Sequence, residues 1–102
     1  MGVAYKANIN DTRESPSLKI IKRLKNLKNC KVVYTDPYVD KIRINKSIMT
    51  SVNVKNFNDY DLTILCTDHY NFNYKKILRE SKLIIDTRGK FKDCKLSKVY
   101  HL

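Results

Sequence analysis

Leu62-Thr63-Ile64-Leu65-Cys66, followed by Thr67-Asp68-His69, is a nearly continuous apolar run closed by polar residues. It is too short for a helix, and it lacks the apolar–polar alternation of a strand with one wet face. It therefore reads as a strand buried on both faces, the kind found in parallel sheets covered by helices. The same pattern recurs on either side. Phe72 to Glu80 reads as a short helix with Phe72, Ile77 and Leu78 as its apolar members. Leu83-Ile84-Ile85 reads as a second buried strand, closed by Asp86-Thr87-Arg88-Gly89, and Val99-Tyr100 as a last edge strand. Upstream, Lys31-Val32-Val33-Tyr34-Thr35 is β-branched and aromatic and ends at Asp36-Pro37. Ser15-Pro16 opens a helix, since Ser suits the N-cap and Pro the first helical position. Leu18, Ile20, Ile21, Leu24 and Leu27 carry that helix at helical spacing toward Asn29. Val3-Ala4-Tyr5 is a short apolar start, Val39 to Thr50 reads as a short helix or an irregular loop, and Val52-Asn53-Val54 as a short strand. Strands alternating with helices predict an α/β fold with a mainly parallel sheet between helical layers.

A length of 102 residues allows one domain, and 42% hydrophobic residues supply a modest core. No apolar run approaches the roughly 20 residues that span a bilayer. Lys6, Asn8, Asn10 and Asp11 interrupt any leader-like stretch, so the expectation is a soluble, cytoplasmic protein. The formal net charge of +11 invites a nucleic-acid reading, but its make-up argues otherwise. There are 16 Lys against 5 Arg, and Lys, Asn and Ile together make 36 residues, as codon bias in an AT-rich genome would give. The cations are evenly spread, whereas nucleic-acid binders cluster charge and lean on the planar fork of Arg. A basic nucleic-acid-binding module stays as the alternative reading. Cys30, Cys66 and Cys94 are odd in number and form no CxxC, so neither a disulfide framework nor a metal site is expected. Cys66 reads as a small buried hydrophobe.

In a parallel α/β sheet the ligand crevice lies at the carboxyl ends of the strands. The residues placed there are Lys6, Asp36, Thr67-Asp68-His69 and Asp86-Thr87-Arg88. Lys6 and Arg88 are the candidates for gripping an anion. Asp36 and His69 fit equally well as polar residues that mark strand ends. Gly2 and Gly89 are the only glycines, so no GxGxxG loop exists and NAD is not bound in that way by this chain. No nucleophile with a poised base is evident, and no catalytic residue is assigned.

Gly2-Val3-Ala4-Tyr5-Lys6 followed by Asp11-Thr12-Arg13-Glu14-Ser15-Pro16 resembles the C-terminal, UDP-binding domain of the UDP-glucose/GDP-mannose dehydrogenase family. Tyr34-Thr35-Asp36-Pro37-Tyr38, Leu65-Cys66-Thr67-Asp68-His69 with Phe72, and Ile84-Ile85-Asp86-Thr87-Arg88 agree with it in order and spacing. The Leu65–His69 block with Phe72 is similar to the UDP-N-acetylhexosamine branch. The resemblance implies a Rossmann-like three-layer domain spanning residues 1–102. It also implies an enzyme that oxidises the sugar C6 alcohol to a carboxylate with NAD, through a Cys in a part not seen here. Tyr5, Lys6 and Arg88 match the positions that meet the UDP-sugar, and Arg13 the one that reaches toward NAD. Glu14-Ser15-Pro16 falls to helix capping. Met1 sits almost on the first motif, so the first strand is expected to be truncated. The NAD-binding and central dimerisation domains would be this domain's partners. Alone it is expected to be inactive as an oxidoreductase, and faces that once met those partners favour self-association.

Overall fold

The computed structural model describes residues 1–13 and 15–102. In chain order its elements are α1 (Pro16–Lys25), β1 (Lys41–Ile44), β2 (Ser47–Thr50), β3 (Thr63–Leu65), α2 (Tyr74–Glu80), β4 (Ile84–Asp86) and β5 (Val99–His101). The strand order β3-β4-β5 is parallel throughout, with Thr63 opposite Ile84 and Ile84 opposite Val99. Parallel neighbours need a crossover, and α2 supplies the one between β3 and β4. Asn73 caps α2 by accepting from the Lys76 N–H at 3.1 Å. Ile77 of α2, Leu65 and Ile84 of the strands, and Phe57, Phe91 and Val99 are buried together as one core cluster. The result is the α/β domain with a parallel sheet that the alternation of strand and helix predicts, in keeping with the Rossmann-like fold that the resemblance implies.

A second cluster joins Val3, Ala4, Ile21, Tyr34, Val39, Ile42 and Ile44. The two clusters meet at the chain start. Met1 donates to the Ile64 carbonyl and its own carbonyl accepts from the Cys66 N–H at 2.8 Å, while the Gly2 N–H donates to the Thr35 carbonyl at 3.0 Å. Met1–Gly2 is thus extended between β3 and Thr35 and held on both sides. Gly2 is required there. Its φ is +83°, and a Cβ would lie 2.5 Å from the Thr67 carbonyl oxygen.

Six expectations need correction. Residues 39–50 are neither helix nor irregular loop: β1 and β2 form an antiparallel hairpin, with Ile42 and Ile44 buried and Lys41 and Arg43 exposed. Lys31–Thr35 runs without forming a regular strand. Its flanking bonds, Gly2 to Thr35 and Val52 to Tyr34, are too few for a ladder, and Val52–Val54 likewise forms no strand. Helix α1 stops at Lys25 because Leu27 is exposed and finds no core to hold a further turn. Ser15 occupies the N-cap of α1 but makes no side-chain capping bond, and its Oγ has no partner among the described residues. Cys66, read as buried, is half-buried. Among the described residues, no helix is long and apolar enough to cross a membrane.

Candidate functional site

The segment Thr67–Tyr70 leaves the carboxyl end of β3, and both candidate cation-bearing loops dock on it. The Thr67 hydroxyl donates to the Ala4 carbonyl at 2.7 Å. The Asn8 N–H donates to His69 Nδ1 at 2.8 Å, and Asn8 Oδ1 accepts from the Tyr70 N–H at 2.6 Å. Asn8 has φ +64°, a left-handed conformation that Asn tolerates better than most residues. These bonds clamp the Ala4–Asn8 loop, and with it Tyr5 and Lys6. The other end of the loop is closed by the Tyr5 N–H, which donates to the Asp11 carbonyl at 2.6 Å. Tyr5 and Lys6 remain exposed, with the Lys6 ammonium 5.9 Å from the Tyr5 ring centre.

Arg88 arrives from the other loop. Its guanidinium Nε lies 3.6 Å from Asp68 Oδ1, with its side chain 38% exposed. The turn that carries it is wound around the buried Asp86, whose Oδ1 accepts from the Arg88 N–H at 3.0 Å and whose Oδ2 accepts from the Phe91 N–H at 2.7 Å. Gly89 follows with φ +72°. The Thr87 hydroxyl ties the turn to the Leu65 carbonyl at 2.7 Å. Lys6 and Arg88 are therefore both anchored to the segment that follows β3.

Beneath these loops lies a buried acid–imidazole pair. His69 Nε2 and Asp36 Oδ2 are 2.7 Å apart, and both side chains are fully buried. Because Nδ1 accepts from Asn8, the ring proton sits on Nε2 and is donated to Asp36. Asp36 also accepts from the N–H groups of Val3 (2.8 Å), Ala4 (3.3 Å), Tyr38 (2.8 Å) and Val39 (3.2 Å). One carboxylate thus ties the Gly2–Lys6 motif to the turn after Thr35 and to His69. Tyr38 and Phe72 pack on the imidazole, with ring centres 4.8 and 5.5 Å away. Tyr74 donates its hydroxyl to the His69 carbonyl. Burial pushes the Tyr74 phenol up to about 12, reinforced by the charges of Asp68 and Asp86.

Arg13 stands apart. Its guanidinium is 88% exposed and is taken by Asp11 in a forked pair, with Nη2 2.9 Å from Oδ2 and Nε 3.1 Å from Oδ1. That pair holds the Asp11 carboxyl down at about 2. A cavity of about 470 Å³ opens beside the site, lined by residues 35–38, Asp40, residues 51–53, Asn71 and Phe72, and no Lys or Arg lines it. Lys6 and Arg88 are both exposed.

Comparison with known proteins places the chain in a family. The description "UDP-glucose/GDP-mannose dehydrogenase family, UDP binding domain" matches residues 1–93. The chain belongs to the UDP-glucose/GDP-mannose dehydrogenase family. It is 30% identical over 93 residues to an NDP-N-acetyl-D-galactosaminuronic acid dehydrogenase of Ralstonia nicotianae, and 36% identical over 96 residues to a UDP-N-acetyl-D-mannosamine dehydrogenase of Methanococcus vannielii. Each alignment covers 86% of this chain and 21% of the relative, so the chain spans about a fifth of the length of these dehydrogenases. No solved structure matches it. The site of this UDP-binding domain also contains what sequence reasoning left undecided. Asp36 and His69 read as strand-end polar residues, and nothing in their spacing of 33 positions announces a buried pair.

Proposed function

We propose that this chain is the nucleotide-sugar-binding part of an NAD-dependent UDP-sugar 6-dehydrogenase. Lys6 and Arg88 engage the anionic and hydroxyl groups of a UDP-sugar, and Tyr5 lies against the ligand. The observation that carries this reading is the docking of both cation-bearing loops onto the single segment Thr67–Tyr70, at the carboxyl end of a parallel strand. Lys supplies a compact charge with three donors, and Arg a fork that matches phosphate oxygens. Asp68 keeps Arg88 from collapsing onto the protein surface without burying it.

NAD, bound by the remainder of the enzyme, would supply the oxidising power for turning the sugar C6 alcohol into a carboxylate, two NAD each taking one hydride and water supplying the second oxygen. This chain has two glycines and no phosphate-cradling loop, so its share in that cofactor's site is limited to Arg13. That guanidinium is exposed and oriented by Asp11, which suits a group held ready for a partner surface. The chain's own work is to bind and orient the nucleotide-sugar, and by itself it oxidises nothing.

Calorimetric titration with UDP-N-acetylglucosamine tests the reading. Saturable heat is expected with the natural chain, and each of Lys6→Ala and Arg88→Ala should weaken it by about tenfold or more, the cost of a charge-assisted contact. Absence of saturable heat at millimolar ligand, or equal affinity in both variants, would overturn it.

A further inference from the structure

Each ring nitrogen of the buried His69 has one partner, and the two partners together permit only one form of the ring. Nδ1 receives the Asn8 N–H at 2.8 Å, and Nε2 faces Asp36 Oδ2 at 2.7 Å. A backbone N–H only donates, so Nδ1 must offer its lone pair. A carboxylate only accepts, so Nε2 must carry the proton. The site is therefore built for a neutral imidazole. A second proton would go to Nδ1 and point at the Asn8 N–H, donor against donor. The side chain has no exposure to solvent, so no water takes up the clash.

What Asn8 holds decides the consequence. Three bonds dock the Ala4–Asn8 loop on Thr67–Tyr70. They are Thr67 hydroxyl to Ala4 carbonyl at 2.7 Å, Asn8 N–H to His69 Nδ1, and Tyr70 N–H to Asn8 Oδ1 at 2.6 Å. Only the bond to His69 involves a group that ordinarily titrates near neutrality. Asn8 has φ +64°, a left-handed conformation that persists in a non-glycine residue where its surroundings enforce it. Loss of one of its two bonds removes part of that enforcement. Lys6 stands two residues before Asn8.

We propose that His69 is a positioning residue that works through Asn8 as a proton-sensitive latch on the loop carrying Tyr5 and Lys6. The neutral ring holds the loop docked. On taking one proton from solvent at Nδ1, the ring gives up the Asn8 N–H and the loop is released. The docked form is therefore present above the pH range in which the imidazole protonates, and it is lost as pH falls through that range. A ligand that needs the docked loop binds more weakly in acid, by linkage. The release stands on the geometry of the ring, whereas its effect on nucleotide-sugar affinity rests on the function proposed above.

The groups around the ring set the controls. Asp36 keeps its four backbone donors, and Asp68, next in the chain, faces Arg88. Tyr38 lies against the ring, and Tyr74, which bonds the His69 carbonyl, is pushed up to about 12 by burial. Two other groups gain charge in the same direction as His69. One is the Met1 amino group, which burial holds below its ordinary 8.0 while Cys66 and Asp36 act against that. The other is His101, whose Nδ1 lies 3.9 Å from the Asp86 carboxylate that winds the Arg88 turn.

Nitrogen-15 NMR of the ligand-free chain between pH 7.5 and pH 5 reads the latch. At pH 7.5 the His69 ring should show its proton on Nε2. As pH falls, protection of the Asn8 and Tyr5 amides, corrected for intrinsic exchange, should drop about tenfold in step with the His69 ring signals. The Ile84 amide should not change. His101→Gln should behave as the natural chain does. His69→Asn places a carboxamide oxygen where Nδ1 was and takes up no proton, so Asn8 should stay protected throughout. A ring proton on Nδ1 at pH 7.5, or a protonated His69 with Asn8 still protected, overturns the proposal, and the natural chain alone decides both. The same acid loss in His69→Asn overturns it too, because the Met1 amino group is then responsible. In calorimetry the affinity for UDP-N-acetylglucosamine should fall about tenfold over the same range in the natural chain and stay level in His69→Asn. Absence of saturable heat at pH 7.5 overturns the nucleotide-sugar reading instead and leaves the NMR result to decide the latch.

Discussion

Two acid–base pairs hold the loop that carries Tyr5 and Lys6, and they differ in almost every physical respect. Asp36–His69 is fully buried, with five donors converging on one carboxylate. Asp11–Arg13 is a forked pair in solvent, with the Arg side chain 88% exposed. The buried pair fixes backbone, because its partners are the N–H groups of Val3, Ala4, Tyr38, Val39 and Asn8. The exposed pair fixes only a side chain. Breaking a buried pair strands its partners without water, whereas an exposed pair exchanges one solvated arrangement for another. Positioning of the site therefore rests on Asp36 and His69, and the exposed pair is free to respond to a ligand or partner.

The largest expected effect comes from Asp36→Ala, which leaves several backbone donors and one imidazole unsatisfied in the core. A loss of about 3–5 kcal/mol in unfolding free energy is expected, read from urea denaturation. A loss below about 1 kcal/mol would show that the two pairs are equivalent. Gly2→Ala comes next. The added methyl meets the Thr67 backbone at 2.5 Å in a left-handed conformation, and about 2 kcal/mol should be lost in the same measurement.

The pH response sharpens the contrast at the alkaline end. Tyr74, which bonds the His69 carbonyl, and Tyr34, which bonds the Val39 carbonyl, are both pushed up by burial to about 12 from an ordinary 10.0. Their folded forms favour the neutral phenol. Their contribution to stability is therefore complete below pH 10 and declines as pH rises toward 12. Ultraviolet titration should show two tyrosines ionising near pH 12, and Tyr34→Phe and Tyr74→Phe should each remove one of them. Smallest of all is Asp11→Asn, which should leave the unfolding midpoint unchanged. NMR titration of natural Asp11 should place its ionisation near pH 2, with the pair present above about pH 4 and lost as pH falls toward 2.

The same contrast governs what could be read from sequence. The strands β3 and β4 were legible because residues 62–66 and 83–85 are uninterrupted apolar runs, and α1 was legible from Ser15-Pro16 and the apolar spacing that follows. The hairpin escaped that reading although Lys41-Ile42-Arg43-Ile44 does alternate. Its partner Ser47–Thr50 is exposed along most of its length and carries no matching pattern. Lys31–Thr35 has strand composition, but regular pairing depends on a neighbour, and Gly2 and Val52 give it one backbone bond each. Within the site, Lys6 and Arg88 were legible as cations at strand ends. Asp36 and His69 were not, because their role is set by a meeting in space across 33 positions, and composition around each one is that of an ordinary turn.

The central claim is that the carboxyl edge built on Thr67–Tyr70 is the nucleotide-sugar wall. Backbone NMR of the natural chain titrated with UDP measures it directly. Saturable shifts confined to residues 5–8, 67–70 and 87–89, with β1 and β2 undisturbed, are predicted. Shifts centred on the hairpin, or none at millimolar UDP, would contradict it.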